Sequence, residues 1–543
     1  MKLYERKDGL LYIRWTIKDK LEWSSTLEYV KTIPGRSFVP GPNYWTAPDI
    51  AKNRRLLKAA GFTPDRPKKV KIEDVRECTL TPDQLPKLRP YQFDNVAFTV
   101  KRGGRVLIGD DMGLGKTVSS LSYCAVHPKK RPILIIVTAS TKIQWGREFK
   151  KWIDGNDYIE ILYGKTPKAL RPDVNYIINW DILFNWCGEK KRIKKINKST
   201  GLEETKDVYQ WKGPLLTNHF EHIIADEVQN VGNPKSQRTK AFIKLARKHP
   251  ELQALSGTPF TSGPWQFFTI LNLLLPQVFA NRWKFYERYC DMKSNGFGVD
   301  FTGSSNEEEL HSIISKVMIR HTKEEVLKEL PPVQRIIVPL EVKDRKAYDD
   351  EKLKTFKKKF GEQDLIDLKD KIFDVKKEAV VLWIDEFLES GEKLFIGAWH
   401  RAAVDFIFKY YGKKAGRLYG GIGAKDRDAV IQRFIKDPKC RILVANLKSG
   451  GVGIDGLQHV CSNVATVELH ANPSTHNQFD ARIARMGQLK AVNSFYLMMD
   501  DSVELDAMRI LDQKTESFSS IIDGVKVDKS NLMLELLKKY KGK

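Results

Sequence analysis

Residues 105–117 read RVLIGDDMGLGKT. The short apolar run at 105–108 predicts a strand. A glycine-bearing turn follows it and ends at Gly115-Lys116-Thr117, where a helix opens. Backbone N–H groups in such a turn converge on phosphate oxygens, and the helix dipole adds positive potential. Gly113 and Gly115 permit dihedrals and a close approach that side chains would block. In this pattern Lys116 reaches the β- and γ-phosphates, and Thr117 places a hydroxyl on Mg²⁺. The strict pattern wants glycine at 110, where Asp110 stands behind Gly109. The bland alternative is a tight turn with an incidental lysine.

The strand-then-helix rhythm continues outward. Residues 133–137, 177–178 and 222–225 predict strands, and a helix carries Ile143, Trp145 and Phe149. Such alternation predicts a parallel sheet covered on both faces. The rhythm restarts near 380, with strands expected at 394–398, 441–445 and 466–469. The fold class is therefore α/β, with two parallel-sheet lobes bracketing a helical, charged middle at about 280–380. Asp226-Glu227 ends the 222–225 strand, expected to lie adjacent to the phosphate-turn strand. Asp226 suits Mg²⁺, and Glu227 suits orienting and deprotonating an attacking water. That Mg²⁺ belongs with a nucleotide and not with a protein cage. Arg482 and Arg485 are three apart, hence on one face if helical. Two guanidiniums there could enter a cleft on closure and stabilise charge on a transferring phosphoryl. A surface basic helix is the alternative.

The ends read differently. Residues 1–50 alternate apolar and polar with Pro-Gly punctuation, which predicts a small β-rich unit. Tyr44 and Trp45 beside Arg36 suit stacking on a base and holding a phosphate; core packing explains the same aromatics. Residues 51–87 read as a basic linker, with eight basic residues and one acid between 52 and 71. A second basic run, KKRIKKINK, occupies 190–198. It suits a solvated loop, a nucleic-acid contact or an import signal. The C-terminal NLMLELLKKYKGK predicts an amphipathic helix within an extension at 511–543.

Composition bounds the partners. The 543 residues allow about three or four domains. Lys and Arg outnumber Asp and Glu by 92 to 68, so the formal charge is +24. A polyanion, nucleic acid foremost, offsets such self-repulsion. The six cysteines include no C-x-x-C, which argues against a zinc ribbon and a disulfide scaffold. His219 and His222 upstream of Asp226 and Glu227 resemble metal ligands, but His222 begins a strand-like run and Asp226 has the stronger role given above. No apolar targeting region opens the chain, and no run approaches the ~20 residues a membrane span needs. A soluble intracellular protein is expected.

Nine blocks occur in a telling order: LRPYQFDNVAF (88–98), GDDMGLGKT (109–117), VTASTKIQWGREFKKW (137–152), IINWDIL (177–183), DEVQ (226–229), LSGTPF (255–260), MIRHTKEEVLKELPP (318–332), ILVANLKSGGVGIDGLQ (442–458) and QFDARIARMGQ (478–488). Together the sequence resembles the SWI2/SNF2-type branch of superfamily 2 DNA-dependent ATPases. The resemblance implies RecA-like lobes at 88–279 and 381–510. It implies ATP with Mg²⁺ and DNA as partner, and the expected working unit is a monomer. Gln92 looks like the family's adenine-recognising glutamine, with Arg89 nearby. Ser256 and Thr258 look like the motif relaying nucleotide state to the DNA face. Gly451, Gly453 and Asp455 lie in the second-lobe motif that approaches backbone and cleft. Gln478, Arg482 and Arg485 occupy the final motif. Trp145 sits in the segment near the DNA track.

The departures from the family pattern are specific. The fourth residue of the DEVQ box is often histidine, but here it is Gln229, which can donate yet carries no charge. Retained ATPase activity with altered coupling is expected. His321 stands where a second arginine is usual, and Lys448 replaces a small residue, which adds a candidate phosphate contact. The stretch IPGRSFVPGPNYWTAPD (33–49) resembles the small HARP domain beside the motor in annealing-helicase relatives. The sequence therefore reads first as a double-stranded-DNA translocase on forks or branches. A strand-separating helicase, a remodeller stripping proteins from DNA and a non-enzymatic DNA-binding module stay open.

Overall fold

The computed structural model describes residues 2–7, 10–15, 19–39, 44–64, 76–153, 157–196, 203–260, 263–294, 299–342, 346, 362–450, 454–470, 473–499, 504 and 520–523. The chain starts with five strands: β1 (Lys2–Lys7), β2 (Leu10–Trp15), β3 (Ser37–Val39), β4 (Tyr44–Pro48) and β5 (Thr63–Pro64). They form one sheet in the order β3-β4-β2-β1-β5. Helices Lys20–Val30 and Ala51–Ala59 contribute Val30 and Leu57 to a core with Tyr4, Leu11, Ile13, Ala47 and Phe62. The small unit therefore runs to residue 64 and not 50. The helix expected in the linker carries core residues, and β5 pairs in parallel with β1. The basic residues Arg66, Lys68, Lys69 and Lys71 lie outside the described residues.

The first lobe opens with β6 (Arg105–Ile108), β7 (Ile133–Val137), β8 (Ile159–Ile161) and β9 (Asn175–Asn179). An antiparallel hairpin, β10 (Glu189–Ile196) and β11 (Glu203–Gln210), follows. Then come β12 (His222–Asp226), β13 (Glu251–Leu255), the short pair β14 (Lys293–Ser294) and β15 (Val299–Asp300), and β16 (Met318–Ile319). Seven strands make one parallel sheet, ordered β16-β6-β13-β12-β7-β9-β8. Side chains alternate across a strand. Leu134 and Ile136 of β7 accordingly enter one core, and Ile133, Ile135 and Val137 enter the other. The acid-bearing β12 is not adjacent to β6, because β13 lies between them. The basic run at 190–196 is strand and not loop.

The second lobe holds β17 (Val333–Leu340), β18 (Leu394–Ala398), β19 (Ala415–Leu418), β20 (Ile442–Asn446), β21 (Asn463–Thr466) and β22 (Val492–Met499). They form a parallel sheet ordered β17-β22-β21-β18-β20-β19. The expected helical middle therefore divides. β16 extends the first sheet through Met318↔Leu107 and Ile319↔Ile108, while β17 edges the second. A 28-residue helix, Glu362–Glu389, leads into β18. The strand expected at 466–469 lies at 463–466. Its polar start is paid for inside the sheet, where Asn493 donates to Asn463 Oδ1 at 3.0 Å. The C-terminal amphipathic stretch lies outside the described residues. Among the described residues no helix is long and apolar enough to cross a membrane.

Candidate nucleotide-binding site

Four connections leave the carboxyl ends of neighbouring first-lobe strands and meet, the usual ligand side of a parallel sheet. The loop after β6 turns through Gly113 (φ 90°) and Gly115 (φ 83°) into helix Lys116–Val126. Those left-handed dihedrals favour glycine. A Cβ at 115 would also stand 2.5 Å from Gln92 Nε2. Gln92 is pinned there: it donates to Leu114 O at 3.0 Å and accepts from Arg89 N–H at 3.1 Å. Lys116 Nζ donates to Asp110 O at 2.6 Å and Asp111 O at 3.2 Å. Burial lowers its pKa, opposed by the nearby charges of Asp110, Glu227, Asp226 and Asp111. Thr117 follows in the first helical turn. Asp110, at the glycine position of the strict pattern, is fully buried. Its carboxylate accepts from Asn95 Nδ2 at 2.6 Å and from the backbone N–H and ring of His321, both at 3.0 Å. The departures at 110 and 321 thus satisfy one another.

Asp226 ends β12, and Glu227 follows in the left-handed region at φ 51°, uncommon for a residue with a side chain. Burial, then the neighbouring Glu227 charge, pushes the Asp226 carboxyl well above its usual range. Trp145 opposes that shift, donating Nε1–H to Asp226 Oδ2 at 3.0 Å. Trp180 donates to the Asp226 carbonyl at 2.8 Å. Trp145 is therefore a buried positioning group beside the acids, and its placement at the DNA track is corrected. Its indole spans the gap from helix to strand end, which a motif read linearly does not reveal. Gln229 donates to Glu227 Oε2 at 2.5 Å and accepts from Ser256 Oγ at 2.6 Å. Ser256 Oγ in turn accepts the Thr258 N–H at 3.0 Å.

The second lobe reaches this edge. Gln478 Nε2 stands 3.5 Å from Thr258 Oγ1. Lys323 donates to Ala484 O at 2.6 Å, and a Cβ on Gly113 would lie 3.4 Å from the Arg485 Cβ. Arg482 and Arg485 do not share a helix face, since the preceding helix ends at Asp480. A turn nonetheless brings both Nη1 atoms to Ile454 O, at 3.5 and 3.3 Å. Burial, then the Arg485 charge, lowers the Arg482 pKa to about 10, with Glu227 acting in the opposite sense. Arg485 also pairs with Asp455 at 3.1 Å. Arg89 pairs with Glu329 at 3.2 Å and reaches Met486 Sδ at 3.3 Å, bridging the lobes at the rim.

Oxygen donors at Thr117, Asp226 and Glu227 suit a hard cation. Two adjacent carboxylates, one of them buried and pushed towards its protonated form, fit the charge of Mg²⁺. Among the described residues no larger cluster of His, Cys, Asp and Glu could hold a metal.

The DNA-contact candidates are dispersed. Trp45 packs against the small-unit core, 5.3 Å from the Phe38 ring, and Tyr44 meets Tyr12 at 5.3 Å. Arg36 is exposed. Gly451 and Gly453 lie outside the described residues, as does the side chain of Lys448. A cavity of about 1150 Å³ opens near the hairpin base; it is lined by Trp180, Lys190, Lys212, Asn230 and Arg238. Asn230 donates to Glu227 O at 2.8 Å and accepts from Arg238 at 3.0 Å, so this cavity adjoins the acid turn.

Residues 91–390 match the model of the SNF2-related domain, and residues 378–487 match that of the helicase conserved C-terminal domain. A Xenopus laevis protein, "SWI/SNF-related matrix-associated actin-dependent regulator of chromatin subfamily A-like protein 1", is 30% identical over 444 residues, 79% of this chain and 43% of that protein. The mouse "DNA annealing helicase and endonuclease ZRANB3" is 26% identical over 84% of this chain and 42% of its own length. The chain thus spans about two fifths of these curated relatives. Among solved structures, a "Sulfolobus solfataricus SWI2/SNF2 ATPase core in complex with dsDNA" aligns over 84% of this chain and 96% of its own, at 20% identity and a TM-score of 0.35. With one family model matched across more than half of its length and a second covering the other lobe, the chain belongs to the SNF2-related family of helicase-like ATPases.

Proposed function

We propose that this protein hydrolyses ATP to translocate on double-stranded DNA, and that it remodels or reanneals forked or branched DNA. The observation that carries the first part is the meeting of Lys116, Asp226, Glu227, Arg482 and Arg485 at the junction of the two lobes. The γ-phosphate is held by Lys116 and the N–H groups of the 109–117 loop. Mg²⁺, bound with the nucleotide, would be held by Thr117 and Asp226 and would neutralise charge on the phosphate oxygens. Glu227 orients water for in-line attack and accepts its proton, with its carboxylate fixed by Gln229. Arg482 and Arg485 face the same space from the second lobe and stabilise the transition-state charge. Gln229, Ser256, Thr258 and Gln478 connect the Glu227 carboxylate to the second lobe in one line. Lobe closure and hydrolysis are coupled along it.

DNA as the track is supported by the +24 charge, and the fork preference by the small N-terminal unit and the named annealing-helicase relatives. Binding goes mainly to phosphates, so it is salt-sensitive and weakly sequence-specific. Strand-annealing and strand-displacement assays on forked substrates test the remodelling part. ATP-dependent annealing without displacement supports it; displacement of a duplexed strand in place of annealing assigns a conventional helicase.

A further inference from the structure

The last described segment does not stay with the lobe that precedes it. β22 ends at Met499 in the second sheet, and Glu504 is pinned there, accepting from Lys376 Nζ at 2.6 Å and Met499 N–H at 3.0 Å. Residues 520–523 lie on the first lobe. Ile521 and Ile522 are 0% and 1% exposed, inside the core that holds Leu107, Leu310, Ile314 and Met318. His311 Nδ1 stands 2.9 Å from Ile521 O. Asp523 Oδ1 then accepts Arg320 Nε–H at 2.5 Å.

Arg320 follows β16 and is largely buried. Its Nη1 donates to Gly109 O at 2.5 Å and lies 3.4 Å from Gly257 O. Its Nη2 donates to Asp111 Oδ1 at 2.9 Å. One planar guanidinium therefore ties the start of the phosphate loop, the Ser256–Thr258 turn and the C-terminal segment, a geometry that an ammonium cannot reproduce. Asp111 also accepts the Lys323 N–H at 3.1 Å, so the loop is gripped on two sides.

We propose that Arg320 and Asp523 are positioning residues for the phosphate loop, and that the 520–523 segment is an internal latch on the first lobe that sets ATP affinity. The inference rests on the ATPase reading above. Asp523 fixes the Nε edge of the guanidinium, and that orientation directs Nη1 and Nη2 at Gly109 and Asp111. Neither residue is placed to touch the transferring phosphoryl. Their effect belongs on nucleotide binding and loop order, and not on the chemical step.

The test compares Asp523→Ala, Asp523→Asn and Arg320→Lys in the full chain. Amide hydrogen exchange across residues 109–117 is read without nucleotide, and KM and kcat for ATP are read with DNA. The expected result is faster exchange in the loop and a KM for ATP raised about fivefold or more, with kcat within about twofold. Asp523→Asn, which keeps an acceptor, should fall between wild type and Asp523→Ala. Unchanged loop exchange and unchanged KM in well-folded Asp523→Ala would overturn the latch. Absence of ATP turnover in the wild type would defeat the ATPase reading instead, while the exchange measurement would still decide whether Asp523 orders the loop.

Discussion

Glu227 and Lys116 show how far single residues can be read. That Lys116 would lie near acids after a distant strand was legible from residue type and order. The left-handed backbone at Glu227 and the two indoles holding Asp226 were not, because they depend on side chains brought together by folding. Lys116→Ala should reduce ATP turnover by about 10² or more, and Glu227→Gln should lower kcat by about 10²–10⁴ with ATP binding retained; steady-state kinetics and nucleotide binding check both. Glu251 is a buried structural acid that sequence reading passed over. It accepts from Tyr123 OH at 2.9 Å and bonds His222 Nδ1 at 3.0 Å; it pairs with Lys130 at 3.0 Å and Arg76 at 3.2 Å. Burial would raise its pKa, but His222, Lys130 and Tyr123 bring it down to about 2 from 4.5. A carboxylate depressed by folding stabilises fully above its unfolded pKa and loses that contribution as pH falls. Glu251→Gln should therefore cost about 1–3 kcal/mol near neutrality. The gap from wild type in chemical unfolding should close as pH falls from 4.5 towards 2. A pH-independent gap would reject the ionic account.

At the scale of elements, β6, β7 and β18 appeared where their apolar runs predicted them, because fully buried parallel strands are written as continuous hydrophobic stretches. Elements whose burial is shared with polar residues were harder to read. β21 starts at Asn463, and β16 is two residues long and recognisable only by its pairing with β6. The small unit's end at 64 was hidden because helix 51–59 is rich in Lys and Arg, yet Leu57 anchors it. That unit has its own core, so its role is separable from that of the two lobes. Deleting residues 1–64 should abolish the preference for forks over linear duplex while leaving DNA-free ATP hydrolysis within about twofold. Equal loss on both DNAs would remove the unit from junction recognition. Gln229 offers a second element-scale prediction. Gln229→Ala removes the link from Glu227 to Ser256, so translocation per ATP should fall more than hydrolysis does. Stepping rate and turnover measured on the same duplex would separate them.

Across the whole molecule, the order of the nine motifs and the restart of the β–α rhythm revealed two lobes. They did not reveal how the lobes meet. Lys323 on Ala484, Arg89 on Met486 and Gln478 beside Thr258 are contacts between residues 161 to 397 positions apart, beyond the reach of any local pattern. Nor did they reveal that residues 520–523 return to the first lobe. The charge of +24 suggested a polyanion at the outset, and the two-lobed ATP site narrows the proposal to a DNA track. On that proposal, nucleotide hydrolysis depends on DNA. The direct measurement is ATP turnover titrated with linear duplex, single strand, fork and four-way junction, with Lys116→Ala in parallel and salt varied. Strong stimulation by duplex-containing DNA is expected, greatest for forked or branched forms, weakening steeply with salt and absent in Lys116→Ala. Turnover that no DNA stimulates, or that survives Lys116→Ala unchanged, would contradict it.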